Sequence, residues 1–239
     1  MRDCLKKVDI IVLAGGRGTR VASALKGKPK ILAPLGKRLY IDLLLKWLEH
    51  YGAQRVIFSL GYLSDQIIGY LTSLKLVSME FEIVVEESPL GTAGAISNSR
   101  SHIITDSILV LNGDSFVNAD LCAFLDFHLS ERNKASIICG YVDDTSRFGT
   151  VKLSSENKII SFVEKENNSN PGYINAGVYF FNRSSINEIS AVGPSLEMDY
   201  LNNQGPGVIG AMVGKYEFLD IGTPDALSKA PDILGNFFN

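Results

Sequence analysis

The apolar positions of the chain follow two alternating rhythms. Short β-branched and aliphatic runs at 8–13, 56–60, 81–85 and 108–111 have the length of buried strands. Between them the apolar residues recur every three or four positions. Residues 39–51 carry Ile41, Leu44, Leu45 and Leu48 at helical spacing and stop at Gly52. Residues 64–74, with Ser64 as N-cap, and the small-residue stretch 92–102 also read as helices, and so does 121–129, capped by Asp120. A βαβα order of this kind predicts an α/β fold. It is a Rossmann-like, doubly wound sheet with helices on both faces, in three layers α/β/α.

Past residue 134 the rhythm changes. Strands at 136–142, 149–153, 159–163 and 173–181 follow one another with little helix between them, so the sheet becomes mixed. Residues 154–157 form a turn between two of them. Helices follow at 183–189 and 196–202, then late strands at 208–213 and 216–220. Thr223-Pro224 opens a last helix, with an N-cap followed by proline at the first helical position. No linker, repeat or low-complexity stretch divides the chain, so 1–239 reads as one domain with halves at about 1–134 and 135–239.

Composition adds mainly exclusions. Apolar residues make up 46% and charged residues 21%, an ordinary soluble balance, and no apolar run is long enough to span a membrane. The net charge of −3 offers no polyanion surface, which argues against nucleic acid as a partner. Cys4, Cys122 and Cys139 are scattered without a Cys-x-x-Cys pair, so neither a zinc site nor a disulfide is expected. With no secretory signal at the start, a reducing, cytoplasmic setting is the expectation. His50, His102 and His128 are isolated as well.

The chemistry concentrates where the first strand ends. Leu13 and Ala14 lead into Gly15-Gly16-Arg17-Gly18-Thr19-Arg20, and Lys28-Pro29-Lys30 follows. A glycine turn at a strand end exposes backbone N–H groups to phosphate, and arginine adds a bidentate fork. Neither familiar phosphate motif is present. There is no Gly-x-x-x-x-Gly-Lys-Ser/Thr, and Val21 stands where a dinucleotide loop needs glycine.

Gly15-Gly16-x-Gly18-Thr19-Arg20 with Lys28-Pro29-Lys30 resembles the signature of the sugar-1-phosphate nucleotidylyltransferases. The likeness continues in the family's order through Leu90-Gly91-Thr92-Ala93-Gly94, Asn112-Gly113-Asp114, Phe148-Gly149-Thr150-Val151, Glu164-Lys165, Asn175-Ala176-Gly177-Val178-Tyr179 and Asp220-Ile221-Gly222-Thr223-Pro224. Pro171 to Gly177 and Ser195-Leu196-Glu197-Met198-Asp199 look most like the branch that makes GDP-activated heptose. Ile31 departs from the second proline that many members carry after the lysine.

The resemblance implies the nucleotide-diphospho-sugar transferase fold, with a nucleotide-binding half followed by a sugar-phosphate-binding half. It implies a reaction in which a sugar 1-phosphate oxygen attacks the α-phosphorus of a nucleoside triphosphate and pyrophosphate leaves in line. The nucleophile is already anionic, so positioning and charge neutralisation are required and a catalytic triad is not. Arg20 is assigned to the triphosphate, Lys30 to the reacting centre and Lys165 to the incoming sugar phosphate. Leu13, Ala14, Gly15, Gly16, Gly18, Thr19, Arg20, Glu86, Pro89, Gly91, Thr92, Asn112 and Asp114 are expected around the nucleotide. Gly149, Glu164, Lys165 and Asn175 are expected around the sugar phosphate, and Asp114 with Asp220 around Mg²⁺, a hard cation suited to carboxylates at strand ends. Glu197 and Asp199 could cap their helix or touch the sugar.

Glu86 bears on the base. A carboxylate is acceptor-only and can receive the ring N–H and amine of guanine together, whereas uracil offers one donor on that edge. The expectation is GTP with D-glycero-D-manno-heptose 1-phosphate. Mannose or another hexose 1-phosphate, or a uridylyl, thymidylyl or cytidylyl transfer, stands as the alternative. A metal-dependent glycosyltransferase would carry Asp-x-Asp, but Asp114 is followed by Ser115-Phe116. A non-catalytic nucleotide-sugar sensor could dispense with Arg20, Lys30 and Asp114, all present. The apolar Phe237-Phe238 offers a docking end for the domain itself or for a second copy in a homodimer.

Overall fold

The computed structural model describes residues 2–74, 78–163, 169–189, 193–205 and 207–234. The chain opens with β1 (Asp9–Ala14), the short α1 (Ala22–Leu25), a hairpin of β2 (Pro34–Leu35) and β3 (Arg38–Leu39), and α2 (Tyr40–His50). Next come β4 (Arg55–Leu60), α3 (Ser64–Ser73), β5 (Glu80–Val85), α4 (Gly91–Asn98), β6 (Ser107–Asn112), β7 (Ser115–Val117) and α5 (Leu121–Ser130). The second half contains β8 (Ala135–Val142), β9 (Thr150–Leu153), β10 (Ile159–Val163), β11 (Gly172–Asn182), α6 (Arg183–Ile189), β12 (Ile209–Gly214), β13 (Phe218–Asp220) and α7 (Pro224–Leu234).

Among the described residues one sheet of nine strands runs β10-β9-β11-β6-β1-β4-β5, with β8 on the free side of β11 and β12 beside β8. The strands β6, β1, β4 and β5 are parallel, whereas β11 runs antiparallel to β6, β8 and β9. The parallel part therefore presents its carboxyl ends at one edge, where a ligand crevice forms. Side chains alternate across the sheet. Ile10, Val12, Phe58, Leu111 and Phe180 pack on one face with α2, α5 and α7. Ile11, Ile57, Val110, Tyr179 and Phe181 pack on the other with α4, α6 and the 196–201 segment. The three layers expected from the sequence follow from this alternation.

Helix starts and stops show the local physics. Asp120 caps α5, its carboxylate accepting from the N–H groups of Cys122 and Ala123 at 2.9 and 3.2 Å. Thr223 accepts from the Ala226 N–H at 3.3 Å and opens α7. Ser64 is not a cap. It is the first helical residue, and Leu63 precedes it in the left-handed region at φ 58°. The helix expected at 92–102 breaks at Ser99, whose hydroxyl donates to the Ala95 carbonyl at 2.9 Å, and one 3₁₀ turn, Arg100–His102, completes it. Residues 196–203 form a wide π turn followed by a 3₁₀ turn.

The cysteines correct the sequence expectation. Cys4 and Cys122 form a disulfide across a separation of 118 residues. It ties the segment before β1 to the first turn of α5. Around it Arg2 pairs with the capping Asp120, Leu5 N–H donates to the Tyr51 carbonyl at 3.0 Å, and the Tyr51 hydroxyl donates to the Ala119 carbonyl at 3.2 Å. Spacing along the chain gives no hint of this pair; the fold brings it together. Cys139 is free and buried, and burial pushes its thiol up to about 12.

Candidate active site

The glycine turn leaves β1 at the carboxyl edge of the sheet and lines a cavity of about 380 Å³. Leu13, Ala14, Gly15, Gly16, Lys30, Glu86, Pro89, Gly91, Thr92, Asn112 and Asp114, all named from the sequence, line it. Arg17, Ile31, Ala95 and Gly113 line it too. Gly18, Thr19 and Arg20 lie outside that lining. Gly18 sits at φ 59°, where a side chain is strained, and a Cβ there would lie 2.8 Å from Cγ of Lys30. The stem of Lys30 therefore runs over Gly18. It places Nζ 2.7 Å from Oδ2 of Asp114.

Asp114 and Asp220 meet although 106 residues separate them (220 minus 114). The device is a two-stranded sheet of β7 and β13, in which Ser115 is opposite Asp220. The Ile221 N–H donates to the Asp114 carbonyl at 3.0 Å, and the Gly222 N–H donates to Oδ1 of Asp220 at 2.7 Å. Burial and the neighbouring Asp114 raise the Asp220 carboxyl above its ordinary range, against the pull of the Gly222 N–H, Lys30 and Arg20. Arg20 is itself exposed, but its charge is felt at Asp220. The Tyr40 hydroxyl, fully buried, feels both carboxylates and has no hydrogen-bond partner.

Two converging carboxylates beside an orphaned hydroxyl form an all-oxygen donor set, which fits a hard cation. No group of three or more His, Cys, Asp or Glu gathers for a metal among the described residues. Substrate and water oxygens would have to complete the shell, as Mg²⁺ usually requires.

Glu86 follows β5 and continues its pairing, the Glu86 N–H donating to the Leu60 carbonyl at 2.8 Å. Its carboxylate lies where side chains of Gly15 and Gly61 would otherwise be. A Cβ on either glycine would fall within 2.4 Å of Oε1. The other oxygen, Oε2, accepts from the Leu90 N–H at 3.1 Å. Glu86 is thus fixed between the glycine loop and the following turn, whereas Glu87 is exposed.

None of the described residues of the second half is among those that line this cavity. Gly149 lies close to β10; a Cβ there would be 3.1 Å from the Val163 carbonyl. Glu164 and Lys165 lie outside the described residues, as do Phe237 and Phe238. Asn175 begins an irregularity in β11, and its amide is engaged internally. Nδ2 donates to the Tyr179 hydroxyl at 2.7 Å and to Oε1 of Glu197 at 3.2 Å, and Oδ1 accepts from the Gly177 N–H at 2.9 Å. Glu197 faces Asn175 and Tyr179. Asp199 caps its turn through the Ser195 N–H at 2.7 Å.

Tyr40, Gly61, Tyr179 and Glu197 are the parts that pattern reading underrates. Tyr40 and Tyr179 look like core aromatics by hydropathy, and only their neighbours' charges reveal more. The 193–197 segment also packs on the start of α4: Ala93 N–H donates to the Pro194 carbonyl at 2.9 Å, and Leu196 N–H to the Thr92 hydroxyl at 2.8 Å.

A doubly wound sheet with a glycine loop, an ion-paired lysine and twin carboxylates at one strand edge defines a class of enzyme that transfers nucleotidyl groups. The chain belongs to the nucleotidyl transferase family, whose model matches residues 9–234. It is 29% identical over 234 residues to the D-glycero-alpha-D-manno-heptose 1-phosphate guanylyltransferase of Aneurinibacillus thermoaerophilus, covering 96% of this chain and 100% of that protein. It is 33% identical over 183 residues to the mannose-1-phosphate guanylyltransferase of Mycobacterium tuberculosis, covering 77% of this chain but only 51% of that longer protein. The crystal structure of HddC from Yersinia pseudotuberculosis superposes with a TM-score of 0.84 at 33% identity, over 94% of this chain and 98% of that one. A further structure of HddC is a complex with GMP-PN.

Proposed function

We propose that this protein is a Mg²⁺-dependent guanylyltransferase that joins GTP and D-glycero-D-manno-heptose 1-phosphate to give the GDP-sugar and pyrophosphate. The observation that carries the reading is the seat of Glu86. A carboxylate held between Gly15 and Gly61 at the mouth of a phosphate-binding loop is an acceptor for the two adjacent donors of guanine. The full-length likeness to heptose-1-phosphate guanylyltransferases supports the sugar. The likeness to a mannose-1-phosphate guanylyltransferase supports mannose 1-phosphate as the second reading.

In this reading the α-phosphorus sits beyond the glycine loop. A sugar-phosphate oxygen forms the new P–O bond there while the bridging bond to the β-phosphate breaks, and pyrophosphate carries the negative charge away. Lys30 supplies a positive charge at the reacting phosphate, and Arg20 meets the charge on the leaving group. Lys165 receives the phosphate of the sugar, with Gly149, Glu164 and Asn175 around it. Asp114 and Asp220 would hold Mg²⁺, which neutralises phosphate charge when bound. A cytoplasmic location accompanies such substrates, and a homodimer through the C-terminal end completes the proposal.

Pyrophosphate release tests it. The purified protein with Mg²⁺, each of GTP, UTP, dTTP and CTP, and a panel of sugar 1-phosphates should respond best to GTP with the heptose. A strong UTP preference removes the guanine assignment, and a stronger response to mannose 1-phosphate exchanges the two sugars.

A further inference from the structure

Lys30 is held along its whole length. At the backbone, Pro29 at φ −68° leads into one 3₁₀ turn, Lys30–Leu32. The Leu32 N–H donates to the Pro29 carbonyl at 2.9 Å and the Ala33 N–H to the Lys30 carbonyl at 2.8 Å. Ile31 and Leu32 are buried and root that turn in the core. The side chain then crosses Gly18. A Cβ on Gly18 would lie 2.8 Å from Cγ, 3.3 Å from Cδ and 2.9 Å from Cε, so three carbons of the stem run along the glycine. The ammonium ends 2.7 Å from Oδ2 of Asp114. The lysine side chain is 17% exposed and that of Asp114 33%, so water and salt screen the pair incompletely.

The other oxygen of Asp114 faces the Ser115 hydroxyl at 3.4 Å. Its charge is thus already matched, by a cation that the chain itself supplies. Mg²⁺ binds oxygen at about 2.1 Å. A divalent ion on Asp114 and an ammonium on the same carboxylate would be close neighbours of like sign, and they repel. Lys30 and Asp114 both line the cavity that the glycine loop opens. A phosphate arriving there offers the ammonium a second, equally strong partner.

We infer that Lys30 is a built-in counter-ion for Asp114, which keeps divalent cations off that carboxylate until the phosphate chain of a nucleotide draws the ammonium away. The inference rests on the proposed reading of the site as a triphosphate and Mg²⁺ pocket. It adds a coupling between the two ligands. Each binds weakly alone, and by linkage each raises the affinity of the other by the same factor. The species the site admits is a metal–triphosphate complex, not a free divalent ion. A purely structural ion pair would have the same distances without this consequence.

The first test needs no turnover. Mn²⁺ is the probe, followed by the electron paramagnetic resonance of the unbound ion in protein without nucleotide. Lys30→Met keeps a stem over Gly18 and removes the charge. Mn²⁺ affinity should rise at least about tenfold, within the usual range of such couplings. Adding Asp114→Asn to that variant should abolish the gain. Arg17→Met controls for charge alone, since Arg17 lines the same cavity without a bond to Asp114. It should change the affinity by no more than about threefold, as expected of a screened charge. No gain in Lys30→Met, or an equal gain in Arg17→Met, overturns the inference. Lys30→Gln takes the place of the methionine variant if that one does not fold.

The second test uses the native chain labelled with ¹⁵N-lysine. The ammonium signal of Lys30, assigned by its absence from a Lys30 variant, should stay in place with Mg²⁺ alone and shift with Mg²⁺ and GTP. A shift with Mg²⁺ alone, or no shift with any of GTP, UTP, dTTP and CTP, overturns the inference. A shift with UTP and not GTP removes guanine from the proposed function and leaves the counter-ion in place. A shift with GTP in a protein that releases no pyrophosphate removes the transfer reaction and again leaves it in place.

Discussion

Lys30 and Asp114 are bonded to each other in the ligand-free protein, at 2.7 Å and with both side chains partly buried. The lysine proposed for phosphate and the carboxylate proposed for a cation neutralise one another here. Asp114→Asn leaves Lys30 in place and removes half of the oxygen pair, so pyrophosphate release should fall at least a hundredfold, with no matching fall in melting temperature. Gly18→Ala tests the support of Lys30. It imposes strain at φ 59° and pushes on the lysine stem, and kcat/KM should fall about tenfold or more. Glu86→Gln replaces one acceptor oxygen with a donor, so the GTP-to-UTP preference should narrow by about tenfold in a direct competition assay.

Elements carry the second set of consequences. The Cys4–Cys122 bond closes a loop that contains β1 through β7, and it holds α5 at the base of the strand that begins after Asp114. A long closed loop stabilises by roughly 2–4 kcal/mol. Reduction, or Cys122→Ser, should therefore lower the melting temperature by roughly 5–15 °C for a chain of this size, measured by calorimetry with and without reductant. An unchanged melting temperature on reduction would show that the staple contributes nothing in solution. The paired strands β7 and β13 are the other device at this scale. Each is three residues long and could not stand alone, yet together they bring two distant aspartates side by side.

Those two devices mark how far the sequence could be read. The strands around 8–13, 56–60 and 108–111 announce themselves because buried parallel strands must be apolar on both faces. The glycine loop, Lys30, Glu86 and Asp114, which line one cavity, stand out in the sequence because glycine turns flanked by such charged residues are uncommon combinations. The β7·β13 pairing does not, since three residues carry no periodicity. The disulfide does not, because its partners are joined only by the finished fold. Tyr179 hides for a related reason. Its ring is core by any hydropathy measure, and its hydroxyl bonds Asn175 on its own strand and Glu197 from a separate segment.

Across the molecule, groups far from the cavity contribute to acid stability. His128 on α5 is buried against Phe180, with Ser136 and Asn182 on its two ring nitrogens. Burial lowers its pKa, only partly opposed by Asn182. A lowered histidine binds its proton more weakly folded than unfolded, so its stability contribution is complete above about pH 6.5 and is lost as pH falls through the folded value. Asp9 sits at the opposite end of the sheet. Burial alone would raise it, but the Ile104 and Thr105 N–H groups, with Arg55, together hold it below the usual aspartate range. Its contribution is complete above about pH 4 and lost further down. Melting temperature should thus decline in two stages on acidification, and His128→Gln should flatten the upper stage alone.

The contact between residues 91–93 and 194–196 has a further consequence for anyone redesigning this protein. Gly91 is at φ 72°, with no room for a side chain against the Pro194 carbonyl, and two hydrogen bonds join the same segments. The start of α4 and the turn that carries Glu197 therefore behave as one mechanical part. In the proposed function, nucleotide choice and sugar choice are then not separate dials. Libraries that vary 86–92 while holding 193–199 fixed should yield mostly inactive proteins, and exchange of both segments together from one relative should yield more active ones.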